Sequence, residues 1–149
     1  MKLAIASDHG GFHLKKAILR LLASRKIEYV DLGVASEDSV DYPDYAVQVA
    51  EKVALGAAEG GILVCGTGIG MAITANKFKG IRAAVVTDPY TAQMSKEHNN
   101  ANVIALGGRV LDEAKAEATV QAWLDAKFQA GRHEGRLAKI SEIENKNFK

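Results

Sequence analysis

A single cysteine, Cys65, is the whole thiol content of the chain. No internal disulfide can form, which fits a reducing cytoplasm and leaves Cys65 to act as a thiol or as packing. Charge of either sign is also missing in excess. The 19 Lys+Arg stand against 18 Asp+Glu, for a formal net charge of +1. Such a balance lacks the basic field that non-specific nucleic-acid or membrane binding requires. No apolar run approaches the roughly 20 residues of a membrane span. The first apolar stretch, Leu3 to Ala6, is interrupted too soon by Asp8 and His9 to serve as a secretory core. There is no second cysteine, no His-x-x-x-His pair and no His/carboxylate cluster at ligand spacing, so no metal site is expected. Internal repeats, low-complexity stretches and linkers are absent as well. The 149 residues therefore read as one domain, 1–149.

What is present is an alternation of short apolar runs and longer amphipathic stretches. Strands are expected at Leu3–Ala6, Ile27–Leu32, Ile62–Cys65, Ile81–Thr87 and Asn102–Leu106. The first helix shows Leu14, Ile18, Leu21 and Leu22 at helical spacing, with lysines and arginines between them. A polar loop around Asp41-Tyr42-Pro43-Asp44 precedes a helix over Ala46–Leu55. Further helices are expected over Met71–Phe78, from Pro89, and over Asp112–Phe128, the last with Ala118, Trp123 and Leu124 inward. A charged helical tail follows Gly131. Five apolar strands separated by helices predict an α/β, Rossmann-like, three-layer αβα sandwich on a five-stranded parallel sheet. Ligands of such a fold bind beyond the carboxyl ends of the strands. Those ends carry Ser7-Asp8-His9, Cys65-Gly66-Thr67-Gly68, Thr87-Asp88 and Gly107-Gly108-Arg109.

Gly66, Gly68 and Gly70 alternate between a strand and a helix, where backbone N–H groups can meet an oxyanion. A dinucleotide pattern would need glycine at the place of Met71 and belongs in the first strand-to-helix turn, not the third. Asp88 stands at a tolerable distance for a ribose-binding acid, so a non-catalytic nucleotide or phosphate module remains as an alternative. Cys65, taken alone, reads as packing. At a strand end beside a helix start, it also fits a thiolate. Thr67 suits either a substrate oxygen or a helix cap. His98 is a proton carrier if it faces the cleft, whereas Asn99 and Asn100 also suit a C-cap and turn. Arg132 and Arg136 are four apart, a phosphate clamp or a solvated basic helix start. Arg109 is a third candidate phosphate ligand. His13 is expected on an exposed face, and His133 draws less attention than the arginines flanking it.

Six segments in order, SDHGG, DYPDYA, GGILVCGTGIGMAITANK, GIRAAVV, KEHNNANVIALGGRV and GRHEGR, resemble the ribose-5-phosphate isomerase B type of sugar-phosphate isomerase. The group also includes allose-6-phosphate and galactose-6-phosphate isomerases. The resemblance implies aldose–ketose isomerisation of ribose 5-phosphate and ribulose 5-phosphate through an enediolate, with a six-carbon sugar phosphate as the alternative substrate. It implies no metal or organic cofactor and a homodimer, or a dimer of such dimers, with active sites at the subunit interface. It further implies Cys65 as the base moving a proton between C1 and C2. Thr67 and the loop of Gly66, Gly68, Ile69 and Gly70 would steady the enediolate. His98 would open the furanose, Asn99 would bind a reacting oxygen, and Asp8 and Tyr42 would hold hydroxyls. His9, Arg109, Arg132 and Arg136 would grip the phosphate, some from the partner, with the 131–149 segment adding dimer contacts. A second branch of the family has a glutamate base, whose place corresponds to Met71 here, which puts this chain with the cysteine branch.

Overall fold

The computed structural model describes residues 1–148. Strands β1 (Lys2–Ser7), β2 (Glu28–Asp31), β3 (Gly60–Cys65), β4 (Ala83–Val85) and β5 (Val103–Gly107) form one sheet in the order β2-β1-β3-β5-β4. Every neighbouring pair is parallel. Six α-helices pack around it: α1 (Phe12–Ser24), α2 (Tyr42–Ala54), α3 (Ile69–Ala75), α4 (Pro89–Glu97), α5 (Glu113–Asp125) and α6 (Gly131–Asn147). This is the three-layer α/β architecture expected from the alternating pattern.

The central strands β1, β3 and β5 are buried on both faces, and their alternation assigns a different texture to each. Leu3, Ile5, Ile62, Val64, Ile104 and Leu106 meet α1, α4 and α5, around Ile18, Leu22, Ala92, Val120 and Trp123. Smaller residues on the other face, among them Ala4, Ala6 and Ala105, let α2 and α3 come close through Ala46, Ala50 and Ala72. Small side chains on that face bring the glycine loop after β3 near the start of α2.

Several boundaries differ from the expected ones for local reasons. The Asp41–Asp44 stretch is already the start of α2, because Pro43 sits in the first turn, where its missing N–H costs nothing. Helix α3 begins earlier, at Ile69, and ends at Ala75. Strand β2 is a largely exposed edge rather than a buried run. Strand β4, the other edge, keeps only three residues of ladder. On α5 the inward stripe is Ala116, Thr119, Val120 and Trp123, whereas Ala118 faces solvent and Leu124 is half-buried. Lys15, one of the charged residues between the apolar positions of α1, is buried. Its Nζ donates to Asp31 Oδ1 at 2.8 Å and to the Val34 carbonyl at 2.7 Å, tying α1 to the loop beyond β2.

Candidate active site

The chain turns one way from β1 to β2 and the other way to reach β3, so a crevice opens between the carboxyl ends of β1 and β3. Three glycine turns interlock there. A Cβ on Gly11 would lie 2.3 Å from the Val64 carbonyl oxygen, and one on Gly108 would lie 2.3 Å from that of Gly10. Gly108 N donates to Cys65 O at 2.7 Å, and Arg109 N donates to Gly66 O at 3.0 Å. These contacts hold the ends of β1, β3 and β5 against one another and make a rigid floor.

On that floor is an open cleft of about 460 Å³, lined by Asp8, Tyr42, Cys65, Gly66, Thr67, Ile69, Gly70, Ile73 and Arg109. Cys65 ends β3, only 4% exposed, and its Sγ accepts a hydrogen bond from Gly68 N at 3.1 Å. That bond requires the left-handed turn at Gly68, where φ is 84°. Thr67 is exposed, and its Oγ1 accepts from Ile69 N at 3.2 Å, which leaves the hydroxyl proton free to donate outward. The carboxylate of Asp8 is buried and anchored, with Oδ1 accepting from Gly11 N at 3.1 Å. Tyr42, 40% exposed, lays its ring across Gly70, where a Cβ would come within 2.5 Å of it. The Arg109 guanidinium covers Gly66, whose Cβ would be 2.9 Å from Nη1. His9 follows Asp8 but is not among the residues that line the cleft, and its Nδ1 accepts from Val40 N at 3.2 Å.

A second group of expected site residues collects elsewhere on the same chain. His98 closes α4, and Asn99 lines a separate hollow with Leu137 and Ile140 of α6. Arg132 and Arg136 are exposed on the first turns of α6. His133, between them, is buried and stacks on His98, with ring centroids 4.3 Å apart. Burial first, then the positive charge of His98, Arg132 and Arg136, pushes the His133 imidazole below its ordinary pKa. Sequence reasoning passed over this residue. The available signal was a histidine at the third position of a helix, between two arginines of its first turns. His13 is exposed as expected and pairs with Glu37.

Asp88 does not serve as a nucleotide-ribose acid. Its carboxylate caps α4, accepting from Thr91 N at 2.7 Å, and Thr91 Oγ1 returns the contact to Asp88 N. It also follows β4, separated from β3 by β5, and so lies away from the glycine loop. Among the described residues no three His, Cys, Asp or Glu side chains gather as metal ligands, and no helix is long and apolar enough to cross a membrane.

The chain is similar along most of its length to known proteins. The ribose-5-phosphate isomerase B of Escherichia coli is 49% identical over 145 residues, covering 97% of this chain and 97% of that one. The solved ribose-5-phosphate isomerase B of Clostridium thermocellum superposes with a TM-score of 0.96 at 52% identity, covering 98% of this chain and 99% of its own. That of Mycoplasma genitalium, solved with bound ribulose-5-phosphate, gives 0.94 at 40% identity over 98% and 97%. A family model described as Ribose/Galactose Isomerase matches residues 3–140. The chain belongs to the Ribose/Galactose Isomerase family.

Proposed function

We propose that this protein interconverts ribose 5-phosphate and ribulose 5-phosphate through an enediolate, with Cys65 as the base. The observation that carries the reading is the Cys65 thiol, set in the cleft with a backbone N–H on its sulfur. A thiolate so placed takes the C2 proton of the open-chain aldose, and the electron pair moves into the C1–C2 bond. Negative charge develops on O1, where the Thr67 hydroxyl and loop N–H groups stabilise it. The hydroxyl proton passes from O2 to O1, the Cys65 thiol returns its proton to C1, and the C2 ketone forms. Asp8 and Tyr42 hold sugar hydroxyls, and Arg109 and His9 hold phosphate. Binding energy from the non-reacting phosphate keeps C2 within reach of the sulfur.

His98, Asn99, Arg132 and Arg136 complete this site across a homodimer, one copy supplying the cleft and a second copy the ring-opening and phosphate groups. Two features support that arrangement. The second group lies outside the cleft of its own chain, and exposed Ile69 and Ile73 on α3, with Ile140 and Ile143 on α6, offer apolar surface for a partner. Segment 131–149 belongs to the single domain as its phosphate-bearing arm, and the protein works in the cytoplasm.

Incubation with ribose 5-phosphate in D₂O is expected to place deuterium at the sugar. Cys65→Ala is expected to lower turnover by roughly a thousandfold while leaving a folded protein that still binds phosphosugar. Near-normal turnover by that variant would remove Cys65 as the base. Parallel assays with allose 6-phosphate and galactose 6-phosphate decide the chain length, with ribose 5-phosphate expected to be the fastest.

A further inference from the structure

His98 and His133 lie on different elements, yet their imidazole planes are inclined by only 17° at a centroid separation of 4.3 Å. The stack is secured from outside the rings. Glu97, immediately before His98, is buried, and each of its carboxylate oxygens takes an amide donor. Gln129 Nε2 donates to Oε1 at 2.6 Å, and Gln93 Nε2 donates to Oε2 at 2.5 Å. Gln129 N also donates to Glu97 O at 2.9 Å. Helix α6 has no side-chain cap of its own, and Gly131 sits at φ 41° just after the clamp. Nothing intrinsic to that helix start sets its direction, whereas the Glu97–Gln129 clamp fixes residue 129 four places before His133.

We propose that His133 is a positioning residue for His98, seated by the Glu97–Gln129 clamp, so that the ring-opening imidazole meets the sugar in one orientation. The proposal rests on the isomerase reading, from which the role of His98 comes. A stack of two imidazolium rings at this distance would be repelled by their like charges. Burial and the neighbouring cations disfavour the charged form of His133, so the face it offers to His98 is uncharged. A flat, uncharged ring on one side narrows the rotamers of His98 and excludes water there. The opposite face and the ring nitrogens remain for the proton exchange between the furanose oxygen and the anomeric hydroxyl.

The test uses the full-length protein in three variants, His133→Ala, His133→Phe and Gln129→Ala, each on two substrates. Ribose 5-phosphate is mostly a furanose. Ribulose 5-phosphate is open-chain, because its C5 oxygen is esterified and cannot close a five-membered ring. His133→Ala is expected to lower kcat on ribose 5-phosphate about tenfold or more, with KM within about twofold, while exchange of the C1 hydrogen of ribulose 5-phosphate with D₂O, which needs no ring step, stays close to wild type. His133→Phe keeps a stacking face and should recover most of the loss, and Gln129→Ala should reproduce part of it. Equal losses in ribose 5-phosphate turnover and in C1 exchange of ribulose 5-phosphate, or a rise in KM alone, would make His133 a structural or phosphate-binding residue and overturn the proposal. Absence of turnover by the wild type on either sugar would instead count against the isomerase reading. In that event the NMR signal of the His98 ring decides the positioning role. It should shift and broaden in His133→Ala and Gln129→Ala and sharpen again in His133→Phe; an unchanged signal in the first two overturns the proposal.

Discussion

Gly70 has no side chain because the Tyr42 ring occupies the space a Cβ would take, at 2.5 Å. The ring is partly exposed and can swing away, so Gly70→Ala should fold normally while displacing a hydroxyl-binding group from the cleft. Steady-state kinetics are expected to show KM for ribose 5-phosphate raised about three- to tenfold, with kcat less affected and Tm nearly unchanged. An unchanged KM would show that Tyr42 does not touch the sugar. Residues of this kind were legible in the sequence to different degrees. Cys65, Thr67 and the glycines announce themselves by following an apolar strand. Lys15 and His133 do not. Each is buried by partners distant in the chain, Asp31 and Val34 for Lys15 and His98 for His133, and local spacing carries no trace of a contact made across the fold.

Helix starts show the same distinction one level up. Pro89 after Asp88 marks the beginning of α4 in the sequence, and the structure adds the reciprocal capping by Thr91. The hydrogen bond from Thr91 N, with help from its side chain, holds the Asp88 carboxyl below the ordinary value of 3.8. A carboxylate with a depressed folded pKa stabilises fully above the unfolded value. That contribution is lost as pH falls through the folded value. Asp88→Ala should therefore lower Tm by about a few degrees at neutral pH. The gap to wild type should narrow as pH drops below 3.8. Asp88→Asn keeps an acceptor at the cap and should retain most of the neutral Tm while losing the acid dependence. Parallel melting curves of the three proteins from pH 7 to 2.5 check this, and a gap that stays constant into acid would count against the capping carboxylate. The glycine loop was legible because strand, turn and helix follow one another directly. The start of α2 was not, since Asp41-Tyr42-Pro43-Asp44 carries turn-forming residues that serve equally well as a first helical turn.

At the scale of the whole molecule, the expected site residues fall into two groups that one chain does not bring into one cleft. Asp8, Tyr42, Cys65, Thr67 and Arg109 share the crevice at the β1–β3 switch point. His98, Asn99, Arg132 and Arg136 gather where α4 ends and α6 begins. Helix α6 buries only His133 and leaves Ile140 and Ile143 outward, an arrangement suited to reaching over a neighbour. The parallel sheet was open to inference from the alternation of strands and helices, but the proposed division of the site between copies has no counterpart in the order of residues along one chain. Subunit complementation tests the division directly. Cys65→Ala and Arg136→Ala homodimers should each be inactive or nearly so. After random exchange of subunits, half the dimers are mixed, and each mixed dimer contains one site with both substitutions and one with neither. Activity should therefore rise toward about a quarter of the wild-type level. If Arg136 served the cleft of its own chain, every site in the mixed dimer would carry one lesion, and no activity would return.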